Sequence, residues 1–127
     1  MTDTDDAAVA HLPIAVRFEA FHAANPHVYE VMADLSRQWL GTGKTRLGVK
    51  ALFEGARWEL GLRTVTADGE YKLSNDFTAY YARLLMHNEE DLAGLFDLRA
   101  SEADEWVFLR TGHDRTGQFT PVAEGAA

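Results

Sequence analysis

At 127 residues, with 46% hydrophobic and 11% aromatic content, the chain is long and apolar enough to bury the core of one domain and is not disordered by composition. It contains no cysteine, which excludes a disulfide framework and thiolate metal sites. The formal net charge of −8 speaks against a generic polyanion binder, and no apolar run approaches the roughly 20 residues that span a bilayer, so a cytoplasmic protein is expected.

The charge is unevenly spread. Residues 1–16 carry three acids and no base, and residues 102–127 carry five acids against Arg110 and Arg115. Between Lys44 and Arg83, seven bases face five acids, which leaves a small local surplus of positive charge. That surplus is modest for a nucleic-acid footprint.

Residues 1–8 read as a mobile acidic terminus. A single domain is expected over residues 9–111, and a flexible tail over residues 112–127. Phe18, Phe21 and Val16 share a face of a short first helix that ends before Asn25. Asn25-Pro26 then marks a new start, because asparagine caps and proline is preorganised for the first helical position. Val28, Met32, Leu35 and Trp39 follow at helical spacing, and Gly41 and Gly43 end the pattern.

The next helix runs from about Val49 to Leu60, with Val49, Leu52, Phe53, Ala56 and Leu60 as its apolar face and Trp58 at the edge of it, placed to close the core. Lys50, Glu54, Arg57 and Glu59 lie mostly outside. Ala67-Asp68-Gly69-Glu70 reads as a turn. Ser74 or Asn75 caps a further helix, in which Phe77, Tyr81, Leu84 and Leu85 face inward. Thr78, Ala79, Ala82, Arg83 and Met86 lie on its other side. Asn88 and Glu89-Glu90-Asp91 suggest a cap and one acidic turn closed by Gly94. Alternation in Leu95–Arg99 and Trp106–Arg110 predicts two strands joined by the polar segment Ala100–Glu105. The expected fold is therefore mainly α (α+β), a helical bundle with a C-terminal β-hairpin, arranged like a winged helix-turn-helix.

A second line of argument is a resemblance. Its residues are Phe21-His22-Ala23-Ala24-Asn25-Pro26-His27-Val28-Tyr29 and Phe53-Glu54-Gly55-Ala56-Arg57-Trp58-Glu59. They continue through Tyr71-Lys72-Leu73 with Asn75, Tyr80-Tyr81-Ala82-Arg83-Leu84, and Gly94-Leu95-Phe96-Asp97-Leu98-Arg99. The span from about Phe18 to Arg99 resembles a family of small uncharacterised bacteriophage and prophage proteins, whose members often look like winged helix-turn-helix domains. The resemblance implies that fold but carries no established activity. Where family members often have consecutive asparagines, this chain has Ser74-Asn75-Asp76.

Catalytic signatures are lacking. His22 and His27 straddle a helix boundary and do not form an i, i+4 metal pair, and His11, His87 and His113 are isolated. Gly41-Thr42-Gly43-Lys44-Thr45 follows a helix and lacks the upstream glycine of a phosphate loop. No serine sits in a nucleophile elbow. The reading is thus a non-enzymatic protein without metal or cofactor.

Two functions of different class remain. In the first, the chain binds double-stranded DNA, as a small phage regulator or replication accessory. Lys72, Thr78, Tyr80 and Arg83 then present from the third recognition-type helix, and Lys44, Arg46, Lys50 and Arg57 touch phosphate. Arg57 has a competing use as an ion pair with Glu54. In the second, the chain is a protein-interaction module that binds and modulates a host or phage protein. Its acidic ends, the acidic Ser101–Glu105 segment and Asp76 favour that use. A homodimer through Ile14–Phe21 is a further expectation.

Overall fold

Residues 13–64 and 71–111 are described by the structure, a computed structural model. Among them lie five α-helices, α1 (Ile14–Ala24), α2 (Pro26–Leu40), α3 (Val49–Arg63), α4 (Thr78–Asn88) and α5 (Glu102–Thr111). Single 3₁₀ turns occupy Asn75–Phe77 and Glu90–Leu92. The expected mobile terminus over residues 1–8, the tail over residues 112–127 and the Ala67–Glu70 turn lie outside the described residues.

The α1–α2 corner shows how local chemistry sets the path. Pro26 occupies the first position of α2, where its missing N–H is no loss. Asn25 does not cap α2 through its side chain. Its Nδ2 instead donates to the carbonyl of Phe21 at 2.9 Å, and its backbone N–H donates to the same oxygen, so the residue closes α1. Its own carbonyl accepts from the Val28 N–H, which opens α2. Gly43, at φ +93°, then turns the chain out of α2 at a conformation that disfavours any side chain.

α2 and α3 lie against each other, with Val28, Met32, Leu52, Phe53, Ala56 and Leu60 buried between them and the rest of the core. α4 is the central helix. Six successive residues, Tyr80 to Leu85, are buried, a pattern no one-sided amphipathic helix shows. α2 and α3 cover one side of it and α5 covers the other. Each fully enclosed leucine here, Leu84 or Leu85, contributes on the order of 1.5–3 kcal/mol relative to exposure.

Phe18 of α1 stands at the centre of an aromatic cluster. Its ring centroid is 4.7 Å from Tyr81, 5.3 Å from Trp106, 5.6 Å from Phe77 and 5.7 Å from Tyr80. The α1 face expected to serve a homodimer is therefore occupied within the chain through Phe18, while Val16 points outward.

The C-terminal β-hairpin is not present, and the winged arrangement goes with it: among the described residues there is no strand. Leu95–Arg99 is an irregular stretch with one backbone bond to a neighbour, from the Leu47 N–H to the Leu95 carbonyl at 3.1 Å. Trp106–Arg110 belongs to α5. The segment read as a hairpin turn is a helix start. Ser101 Oγ accepts from the Ala103 N–H at 3.0 Å, while Asp104 Oδ2 accepts from the Ser101 N–H at 2.9 Å, a reciprocal capping box. Trp106 and Phe108, which a strand would place on one side, part company: Trp106 enters the Phe18 cluster and Phe108 is exposed. The inward face of α5 is Ala103, Trp106 and Val107, at helical spacing.

Candidate functional site

The eight residues expected to meet DNA separate into two groups. Arg83, expected on an outer face, is 6% exposed and braces α5 against α4. Its Nε donates to Asp104 Oδ1 at 2.6 Å, its Nη1 to the Ala79 carbonyl at 3.1 Å and its Nη2 to the Arg99 carbonyl. Arg83 first, and the Ser101 N–H second, hold the Asp104 carboxyl below its ordinary range. Tyr80 is buried too, with its ring 5.1 Å from Trp106. Neither can reach a base edge. α5 covers the side of α4 that the sequence left open to solvent.

Arg57 is likewise committed. It pairs with Glu54 at 3.0 Å, as the competing expectation held, and also donates to the Leu73 carbonyl and to Asn75 Oδ1, both at 2.6 Å from Nη2. It thereby ties α3 to the chain entering α4, beside a cleft of about 660 Å³ bounded also by Phe21, Tyr71 and Phe77. Thr78 is half-buried and donates to the Asn75 carbonyl at 3.0 Å. Lys72 is exposed at the edge of the same cleft.

Lys44, Arg46 and Lys50 form the second group. All three are exposed around the start of α3. Lys44 lies over the Trp39 ring, 4.8 Å from its centroid, and Trp39 Nε1 donates to the Arg46 carbonyl at 2.6 Å. Arg46 faces Asp97 at 3.8 Å across open solvent, where such a pair contributes little. α3 itself begins at Gly48 with no side-chain cap and no acid in its first turn. Its N-terminal N–H groups and dipole therefore add to the local positive potential.

These cations flank a feature that sequence reasoning missed. Trp58 was expected to close the core, yet it is 72% exposed, and Leu62 one turn later is 68% exposed. Ala51, Gly55, Trp58 and Leu62 recur at intervals of four, three and four, so they form one stripe on the outer side of α3. Gly55 lies against Leu35 of α2, and a Cβ there would meet the Leu35 Cδ1 at 3.6 Å. A groove of about 360 Å³ opens between the two helices, lined by Leu35, Trp39, Leu47, Ala51 and Gly55 and by the polar side chains of Gln38 and Thr42. The stripe was legible from spacing alone. The buried stripe of α3 already accounted for a complete helix face, and Trp58 and Leu62 lie off it.

Elsewhere the polar residues close the fold. Tyr29 donates to Glu89 at 2.7 Å, and Arg37 reaches both Glu89 at 2.6 Å and Asp91 at 2.8 Å. Two of the three acids of the expected acidic turn thus pin the 3₁₀ turn to α2. Among the described residues, no three His, Asp or Glu side chains converge as a metal-binding set, and no helix is long and apolar enough to cross a membrane.

Comparisons with protein-family models, with curated proteins and with solved structures found no match.

Proposed function

We propose that this chain is a non-enzymatic protein-interaction module that binds a partner protein through the outer face of α2 and α3. The observation that carries this reading is the pair Trp58 and Leu62, large apolar side chains about seven-tenths exposed on the same stripe of α3 as Ala51 and Gly55, which line a groove. A single exposed leucine is ordinary, but a tryptophan, a leucine and a mostly apolar groove on one helix stripe form a patch of the kind that marks partner surfaces. Tryptophan is also among the residues most often central to binding energy.

The DNA reading has less beneath it. It relied on a wing that is α5 and on Arg83 and Tyr80, which are enclosed. Lys44, Arg46, Lys50 and Lys72 remain at the surface, too few to offset a net charge of −8 against a phosphate lattice.

The test compares the wild type with Trp58→Ser. Trp58 is outside the core, so the variant is expected to melt like the wild type, within about 0.5 kcal/mol. Immobilised wild-type protein should retain one or a few proteins from a bacterial lysate, identified by mass spectrometry, and Trp58→Ser should lose them. Duplex DNA, followed by fluorescence anisotropy over a salt series, should not bind in the micromolar range. Salt-sensitive DNA binding that Trp58→Ser leaves intact would overturn the reading in favour of DNA.

A further inference from the structure

The α2–α3 groove has a direction, and the direction specifies its occupant. At one end stand Lys44, Arg46 and Lys50 together with the uncapped start of α3. At the other, around Leu62, the nearest charges cancel: Arg63 pairs with Glu59 at 3.0 Å. Near the middle, Glu54 is paired with Arg57, while Asp34 accepts a hydrogen bond from Gln38 and keeps its charge. The groove is thus mostly apolar, with Gln38 and Thr42 as polar members of its lining, and its charge is positive at the end where Lys44, Lys50 and the Asp97-facing Arg46 stand.

Its length suits a helix. Ala51 to Leu62 covers about 16 Å of α3 at 1.5 Å per residue, three turns, which matches anchors at i, i+3 or i+4, i+7 and i+11. The small side chains of Ala51 and Gly55 leave room for another helix to approach closely beside Trp39. A strand has no comparable seat, because no sheet edge occurs among the described residues.

Resting on the proposed function, we infer that the partner presents an amphipathic α-helix with an apolar face and a cluster of carboxylates at one end, which docks in the α2–α3 groove with its acidic end over Lys44, Arg46 and Lys50. Apolar contact with Trp58 and the groove supplies most of the affinity, and the charges set the orientation and speed the encounter. A second copy of this chain is the poorer occupant, since two chains of net charge −8 repel.

Three synthetic helical peptides test this by fluorescence anisotropy with the full chain. They share one leucine-rich face and carry three glutamates at the N-terminus, three glutamates at the C-terminus, or three lysines in place of the glutamates. At least one glutamate peptide should bind about tenfold tighter than the lysine peptide. The double variant Lys44→Glu, Lys50→Glu should abolish or reverse that preference. Ala51→Gln, which fills the groove, should weaken every peptide. All the changed side chains are exposed, and matched circular dichroism melts confirm that the variants fold.

Equal binding of all three peptides, or binding that Ala51→Gln leaves unaltered, overturns the inference. So does a dimer in sedimentation velocity that Trp58→Ser disperses, since the surface would then serve a second copy. If no peptide binds while Trp58→Ser still loses a lysate partner, this inference fails and the proposed function stands. If the partner is unaffected by Trp58→Ser as well, the proposed function fails with it.

Discussion

Arg83 and Trp58 exchange the places that residue type alone assigns them. The arginine is enclosed and the tryptophan is outside. Burying a guanidinium is tolerable here because its donors are used: one meets the Asp104 carboxylate and two meet backbone carbonyls. Arg83→Met keeps the length and apolar stem but leaves the Arg99 carbonyl and Asp104 without that partner. Asp104 is half-exposed and regains water, so the cost is set by the lost charge-assisted bonds and not by a stranded buried charge. Urea denaturation should show a loss of about 1–3 kcal/mol. The pairing has a pH signature in the same melts. Arg83 lowers the folded Asp104 carboxyl below its ordinary 3.8, so its stabilisation is complete above that value and is lost as pH falls through the lower folded one. Arg83→Met should reduce that acid dependence to the part the Ser101 N–H sustains; a stability equal to wild type would mean that the brace carries nothing.

At the scale of elements, α2, α3 and α4 were legible and α5 was not, for a definite reason. Asn25-Pro26 and the stripe from Val28 to Trp39 place α2 correctly because start signal, periodicity and stop signal agree. Ser74, expected to cap α4 itself, caps the 3₁₀ turn before it, its Oγ accepting from the Asp76 N–H at 3.1 Å, and α4 begins after Phe77 with no side-chain cap. In α5, two signals of different period compete. Trp106 and Phe108 alternate like a strand, whereas Ala103, Trp106, Val107 and Arg110 follow a helix. The capping box of Ser101 and Asp104 decides between them, and its two residues lie three apart in the sequence for anyone to read. Misplacing α5 then misplaces Ala82 and Arg83, because only a packed neighbour turns the outer side of α4 into core. Ser101→Ala should cost about 1 kcal/mol through the lost cap. Far-ultraviolet circular dichroism and a chemical melt check it, and an unchanged midpoint would mean that the long-range ties hold α5 without the cap. Those ties are the Arg83–Asp104 pair to α4 and two bonds to Glu19 of α1, from Trp106 Nε1 at 3.0 Å and Arg110 Nε at 2.8 Å.

Over the whole molecule, acid acts in two opposing ways. Neutralising carboxylates relieves the self-repulsion of a chain carrying −8, which favours the compact state. Protonating the paired carboxylates, such as Asp104, works the other way at lower pH, and so, nearer neutrality, does His22. It packs flat on Phe18 with centroids 5.6 Å apart, also touches the Tyr29 and Tyr81 rings, and its Nδ1 is enclosed with no hydrogen-bond partner. Burial first and the Arg110 charge second hold its pKa below the ordinary 6.5, against the opposing pull of Glu19. Between the lowered folded value and 6.5, the unfolded chain binds more protons than the folded one, so stability rises with pH there and falls on acidification. Because repulsion and His22 act with opposite sign, the wild-type melting curve alone does not separate them, but a difference does. His22→Phe keeps an aromatic ring against Phe18 and removes the titration. The difference in Tm between variant and wild type should stay constant above about pH 7.5 and move in the variant's favour below about pH 6, where unfolded histidine takes up its proton. Parallel curves across that range would show that the His22 pocket admits the charged ring at no cost, and that the acid sensitivity of the fold resides in its carboxylate pairs alone.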